Sequence, residues 1–181
     1  MRRSWAILIR ISLLLAAGGA VLFAADVVRV MPLVRDGRVF VSLELADGFT
    51  PEIREAIHSG LPTTFTYDIE LRRRVPVWFD RTLASATIAA TVKFDNLTRR
   101  HQLGRTLDGR MEESRVTEDE DDVRRWLTRF ERVDLFRTTD LEANVEYYVR
   151  VQARTHPRDA WFFWPWDRGA AAANASFTFI P

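Results

Sequence analysis

Three histidines, His58, His101 and His156, are the residues best suited to hold a metal or to shuttle a proton. None has a second ligand-type side chain at i+2 or i+4, so a metal site requires the fold to bring them together. The plainer reading is three unrelated surface or capping histidines. Cysteine is absent, which removes thiolate nucleophiles, thiolate metal sites and disulfides together. No Gly-x-Ser-x-Gly elbow, phosphate-binding loop or dinucleotide fingerprint occurs. Paired acids stand at Glu112-Glu113 and across 119–122, but neither group has an obvious desolvating aromatic neighbour to split its pKa values. The second group is better explained as the negatively charged start of a helix. No catalytic residue, metal ligand or cofactor is therefore expected, and the chain reads as a noncatalytic protein.

The residues that can make contacts are more telling. Trp161, Phe162, Phe163, Trp164 and Trp166, interrupted only by Pro165, place five aromatics within six positions. They cannot all face one side of a strand, so some are exposed or covered by another body, unless the segment folds back as a plug over the end of the domain. Arg72, Arg73 and Arg74 precede Trp78. Period-two alternation puts Arg72 and Arg74 on one face and Arg73 on the other, where they offer cations to lipid headgroups or to an acidic partner, or simply end a strand in solvent.

The elements that position these side chains are legible from Phe49 to Arg74. Thr50 can cap a short helix with Pro51 at its first position, Gly60 can end it in the left-handed region, and Pro62 stops it resuming. From Thr63 onward Phe65, Tyr67, Ile69 and Leu71 alternate with Thr64, Thr66, Asp68, Glu70 and Arg72, the pattern of a half-buried antiparallel strand. Upstream, 26–34 and 38–46 form a hairpin around Asp36-Gly37. Downstream, strands are expected over 83–95, 98–107 and 110–116, with Asp108-Gly109 as a second tight turn.

A second helix starts in the acidic run, with Val123, Trp126, Leu127 and Phe130 at i, i+3, i+4 and i+7. Strand returns over 144–154, an Ala-rich link follows the aromatic loop, and 175–180 closes the chain. Hairpin turns and scarce crossovers exclude a doubly wound parallel fold.

At the N-terminus, Arg2 and Arg3 precede an apolar run from Ile11 to Ala25 broken only by Ser12, the composition of an export segment. It serves either as a cleaved signal peptide or as a transmembrane anchor with Arg10 near the inner face. The formal charge of +1 includes Arg2, Arg3 and Arg10 and no acid before Asp26, so without residues 1–25 it falls by three, to −2. No global basic field remains to attract nucleic acid.

The corner Ile57-His58-Ser59-Gly60-Leu61-Pro62, the strand carrying Ile69, Glu70, Leu71 and Arg72, the following Trp78, and Ser176-Phe177-Thr178-Phe179 together resemble a bacterial envelope family. That family is domain of unknown function 4390. The resemblance covers about Val27 to Pro181 and departs at the Pro and aromatic loop, where a more regular segment is expected. It implies an exported, envelope location and a fold, and assigns no catalytic residue.

The expectation is one mainly β, α+β domain over 26–181. It is an antiparallel β-sandwich or open barrel with two short helices, preceded by residues 1–25 as signal or anchor, and located in the periplasm or anchored to the inner membrane. The expected role is an interaction module for a membrane-associated protein partner, with Trp161, Phe162, Phe163, Trp164, Trp166, Arg72, Arg74 and Trp78 as its contact surface. The alternative is a carrier holding a lipid or other apolar ligand between the sheets.

Overall fold

Asp36 and Gly37 both take positive φ, 52° and 71°. That is the backbone a two-residue hairpin turn requires, and it folds β1 (Val27–Arg35) onto β2 (Arg38–Ala46). Asp108 and Gly109 repeat the device at 49° and 78° between β5 (Arg100–Leu107) and β6 (Arg110–Thr117). The computed structural model describes residues 27–75, 79–157 and 171–181. The further elements are α1 (Pro51–His58), β3 (Thr63–Arg73), β4 (Arg81–Asp95), α2 (Glu120–Thr128), β7 (Arg129–Arg137), β8 (Glu146–Pro157) and β9 (Ala171–Thr178).

All strand pairings are antiparallel and fall into two sheets, β1-β2-β7 and β6-β5-β4-β3-β8-β9. Each sheet turns its apolar residues toward one shared core. The smaller sheet contributes Val39, Val41, Leu43 and Leu45; the larger contributes Phe65, Tyr67, Ile69, Leu71, Ile88, Val92, Val149 and Val151. Edge to face, the rings of Tyr67 and Phe130 meet across the two layers with centroids 4.9 Å apart. Fully burying a side chain of this size contributes roughly 1.5–3 kcal/mol. β1 also packs along β9, which brings the sheets together on that side. On the other side β6 and β7 are both terminal strands, and the sheets do not close into a barrel.

The first helix forms as its residues require. Thr50 Oγ1 accepts from Ile53 N at 3.4 Å, Pro51 occupies the first turn, and Gly60 at φ +87° lets Leu61 N return to Ala56 O. Asp119 caps α2 by accepting from Asp121 N at 2.9 Å, and Glu120, Asp121 and Asp122 complement the helix dipole.

Two expectations are corrected. The apolar spacing that ran a helix through Phe130 stops at Thr128, and Phe130 instead lies in β7, which begins at Arg129 without an intervening loop. This strand was hidden because its pairing with β2 shifts register twice, and Arg132 sits at φ +48°, so period-two alternation is broken. The Ala-rich link is also strand: Ala171, Ala172 and Ala173 pair with Ala153, Gln152 and Val151.

Candidate interaction surface

Arg72 stands directly opposite Tyr148 in the β3–β8 register. Both side chains lie on the outer face of the larger sheet, and Tyr148 is nevertheless buried, at 7% exposure, with two guanidinium groups beside its ring. The charged carbons of Arg72 and Arg74 each lie 5.9 Å from its ring centroid, within cation–π range. Asp80 locks this corner. Its carboxylate accepts from the Tyr148 hydroxyl at 2.7 Å and from Val75 N at 3.2 Å, and its backbone carbonyl accepts from Arg72 Nη2 at 3.1 Å. The hydroxyl, then the amide, hold the Asp80 carboxyl below the usual carboxylate range. Burial, then Asp80, pushes the Tyr148 phenol up.

Alternation separates Arg73 from its neighbours as expected: it makes a two-pronged pair with Glu142. Arg74 reaches Glu146 at 3.2 Å, a solvent-exposed pair that a partner's carboxylate can replace at little cost. Phe79, the residue before Asp80 in the chain, is 96% exposed. Of the remaining expected surface residues, Trp78, Trp161, Phe162, Phe163, Trp164 and Trp166 lie outside the described residues. The strand ends flanking 158–170, Pro157 and Ala171, register with Thr63 and Ala153, whereas Arg73 registers with Tyr147 at the other end of β3. Arg72 and Arg74 therefore sit at the end of the sheet opposite to Pro157.

A second cluster was missed from sequence. Arg105 lies between Trp126 and Phe130, 4.2 and 4.3 Å from their centroids, and its Nη2 donates to Trp126 O at 2.9 Å and to Arg129 O at 3.3 Å. Those carbonyls belong to the end of α2 and the start of β7, so one guanidinium ties the helix to both sheets. Burial lowers the Arg105 pKa, and its buried Nε has no hydrogen-bond partner. Tyr67 adds a second tie, donating to Leu127 O at 2.6 Å. Next to Arg105 a cleft of about 210 Å³ opens between the layers, with Ile88, Leu107, Phe130 and Val133 in its walls. The only advance signal was a lone arginine at an inward position of an alternating strand, and solvated strand arginines give the same signal.

The histidines are less scattered than expected. His58 and His101 lie 5.9 Å apart, ring to ring, and both contact Phe94. His101 is buried at 4% exposure, opposite Thr117 of β6. Burial, then the charge of His58, lowers its pKa. Glu120, the carboxylate that bears on it electrostatically, is ion-paired with Arg54. Among the described residues no group of three or more His, Asp or Glu is placed to hold a metal ion. The His156 side chain lies outside them.

No helix among the described residues is long and apolar enough to cross a membrane; residues 1–26 lie outside that set. No curated protein and no solved structure matches the chain. A family model described as Domain of unknown function (DUF4390) matches residues 24–160. That stretch runs from just before β1 to just past β8 and takes in both helices and the Arg72–Tyr148 corner, so the chain belongs to the DUF4390 family.

Proposed function

We propose that this chain is a noncatalytic interaction module of the cell envelope, and that its contact surface is the corner formed by Arg72, Arg74, Tyr148 and Phe79. The observation that carries the reading is an almost fully exposed phenylalanine next in the chain to Asp80, which is bonded to Arg72 and Tyr148 where two guanidinium groups meet a tyrosine ring. Tyrosine and arginine supply much of the energy of protein interfaces, and side chains ordered before binding lose less entropy on association. Such a corner suits a partner offering carboxylates around an apolar pocket. An envelope location, facing the periplasm, is supported by Arg2, Arg3 and the apolar run to Ala25.

In favour of the carrier reading is the cleft beside Arg105, which has apolar walls. At about 210 Å³ it is smaller than the ~300–1,000 Å³ of ordinary ligand pockets. Among the described residues, Phe65, Tyr67, Phe130 and Tyr147, all fully buried, fill much of the space between the layers.

Affinity purification of the full chain from detergent-solubilised membranes tests the two readings. The module predicts a discrete membrane protein partner, lost in Phe79→Ser and Arg74→Glu but kept in Leu97→Ser, which alters an exposed side chain in the β4–β5 turn. Stoichiometric copurifying lipid, or partner capture indifferent to Phe79 and Arg74, overturns it.

A further inference from the structure

Among the described residues β6 is the last strand of its sheet and pairs only with β5. Residues Arg110 to Val116 are exposed on both faces, among them Met111 at 65% and Val116 at 57%. An eight-residue edge carrying two bare apolar side chains offers a row of unpaired backbone groups to another strand, and its four charges and its bulge limit which strand can pair there. We propose that it is covered by the β6 edge of a second copy of this chain, paired antiparallel about a two-fold axis at Ser114. This contact is separate from the Arg72–Tyr148 corner and stands or falls independently of it.

The register with β5 fixes which way each residue faces. Leu103 pairs with Arg115 and Arg105 with Glu113, so Glu113 and Arg115 point to the inner face; Gln102 pairs with Val116 and Gly104 with Ser114, on the outer face. Between Arg105 and Thr106 the register shifts, leaving Glu112 as an extra residue and moving Met111 opposite Thr106. Met111 thereby joins Val116 on the outer face, with its methyl 3.7 Å from where a Cβ on Gly104 would sit.

A two-fold axis perpendicular to the sheet keeps inner faces together. With the axis at Ser114, Glu113 of each copy stands opposite Arg115 of the other on the inner face. Val116 of each copy meets the bulge of the other on the outer face, beside Met111. Moving the axis by one residue sets Glu113 against Glu113 or Arg115 against Arg115, and like charges directly opposite are unfavourable. Within one chain Glu113 reaches Arg105, and Arg115 reaches Asp122, only at 3.9 Å, beyond hydrogen-bond distance, and Arg115 lies over the Trp126 ring with its charged carbon 5.1 Å from the centroid. The strand's charge order is thus complementary to itself in a single register.

Sedimentation of the detergent-solubilised full chain over a concentration series reads the result directly. Wild type is expected to form two-copy particles. Glu113→Arg alone and Arg115→Glu alone each place like charges across the axis twice and are expected to weaken association roughly tenfold or more. The double variant restores complementarity and the dimer, a rescue that misfolding cannot mimic. Because the chain has no cysteine, Ser114→Cys supplies a second readout. It is expected to crosslink two copies under oxidation, while Gln102→Cys, one strand inward, does not. A wild-type monomer at every concentration, a dimer indifferent to the single reversals, or a disulfide from the Ser114→Cys variant to a different protein overturns the proposal.

Discussion

Replacing Arg105 by alanine removes the guanidinium that ties α2 to both sheets, and the structure sets the size of the effect. Its bond to Trp126 O is short, at 2.9 Å, and its bond to Arg129 O longer, at 3.3 Å. A good hydrogen bond from a charged donor contributes about 1.5–3 kcal/mol, and the longer one contributes less. The contacts with Trp126 and Phe130 add about 0.5–2 kcal/mol each. Opposing these is the burial of a charge, visible in the lowered pKa and the unpartnered Nε, which alanine relieves. The expected net loss is about 2–4 kcal/mol of a total of about 5–15, which lowers Tm by roughly 5–15 °C. Arg105→Met keeps the stem packed between the rings and removes the charge, so it is expected to cost no more than about half as much. Urea unfolding followed by tryptophan fluorescence, with a thermal scan, measures both. An alanine variant within about 0.5 kcal/mol of wild type, or a methionine variant less stable than the alanine one, refutes the reasoning, since surface changes fall in that range.

His101 is held below the ordinary imidazole pKa of about 6.5. The unfolded chain therefore takes up the proton first as pH drops, and stability is full above about pH 6.5 and declines below it. His101→Phe is expected to flatten this decline in thermal scans between about pH 7 and 5, and an unchanged slope counts against it. Gly60→Ala forces a Cβ onto φ +87° and to 3.1 Å from Asn96 Nδ2, with an expected loss of about 1–3 kcal/mol in urea unfolding; no loss would mean that the helix end relaxes freely. Asp80→Ala frees the Tyr148 hydroxyl and Val75 N. It is expected to reduce partner capture as Phe79→Ser does while leaving most of the Tm intact, and capture at the wild-type level would show that the corner needs no lock.

The sequence made the larger sheet readable because its strands keep strict alternation. Phe65, Tyr67, Ile69 and Leu71, and Ile88, Ala90 and Val92, are inward in the structure as the period requires. Hairpins at Asp36-Gly37 and Asp108-Gly109 were readable because both residues must adopt positive φ. β7 was not, since its bulges scatter the apolar positions and Phe130 falls on a helical spacing by coincidence of a strand following the helix directly. The first alanines of β9 carry no pattern of their own and become strand only by pairing with β8. At the site, Arg72 and Arg74 were assigned a common face correctly, but their meeting on Tyr148 depends on a partner 76 positions from Arg72, fixed by register. The proximity of His58 and His101 likewise comes from α1 packing near β4, a tertiary fact that local spacing does not encode.

A photoreactive amino acid placed at Phe79 in cells, with a matched probe at Leu97, addresses the contact corner most directly. Both positions are at least 95% exposed, and they lie beyond opposite ends of the fifteen-residue β4. The expected result is a discrete crosslinked membrane protein from position 79 and none from position 97. Equal labelling from both positions, or no protein adduct from position 79, would contradict it.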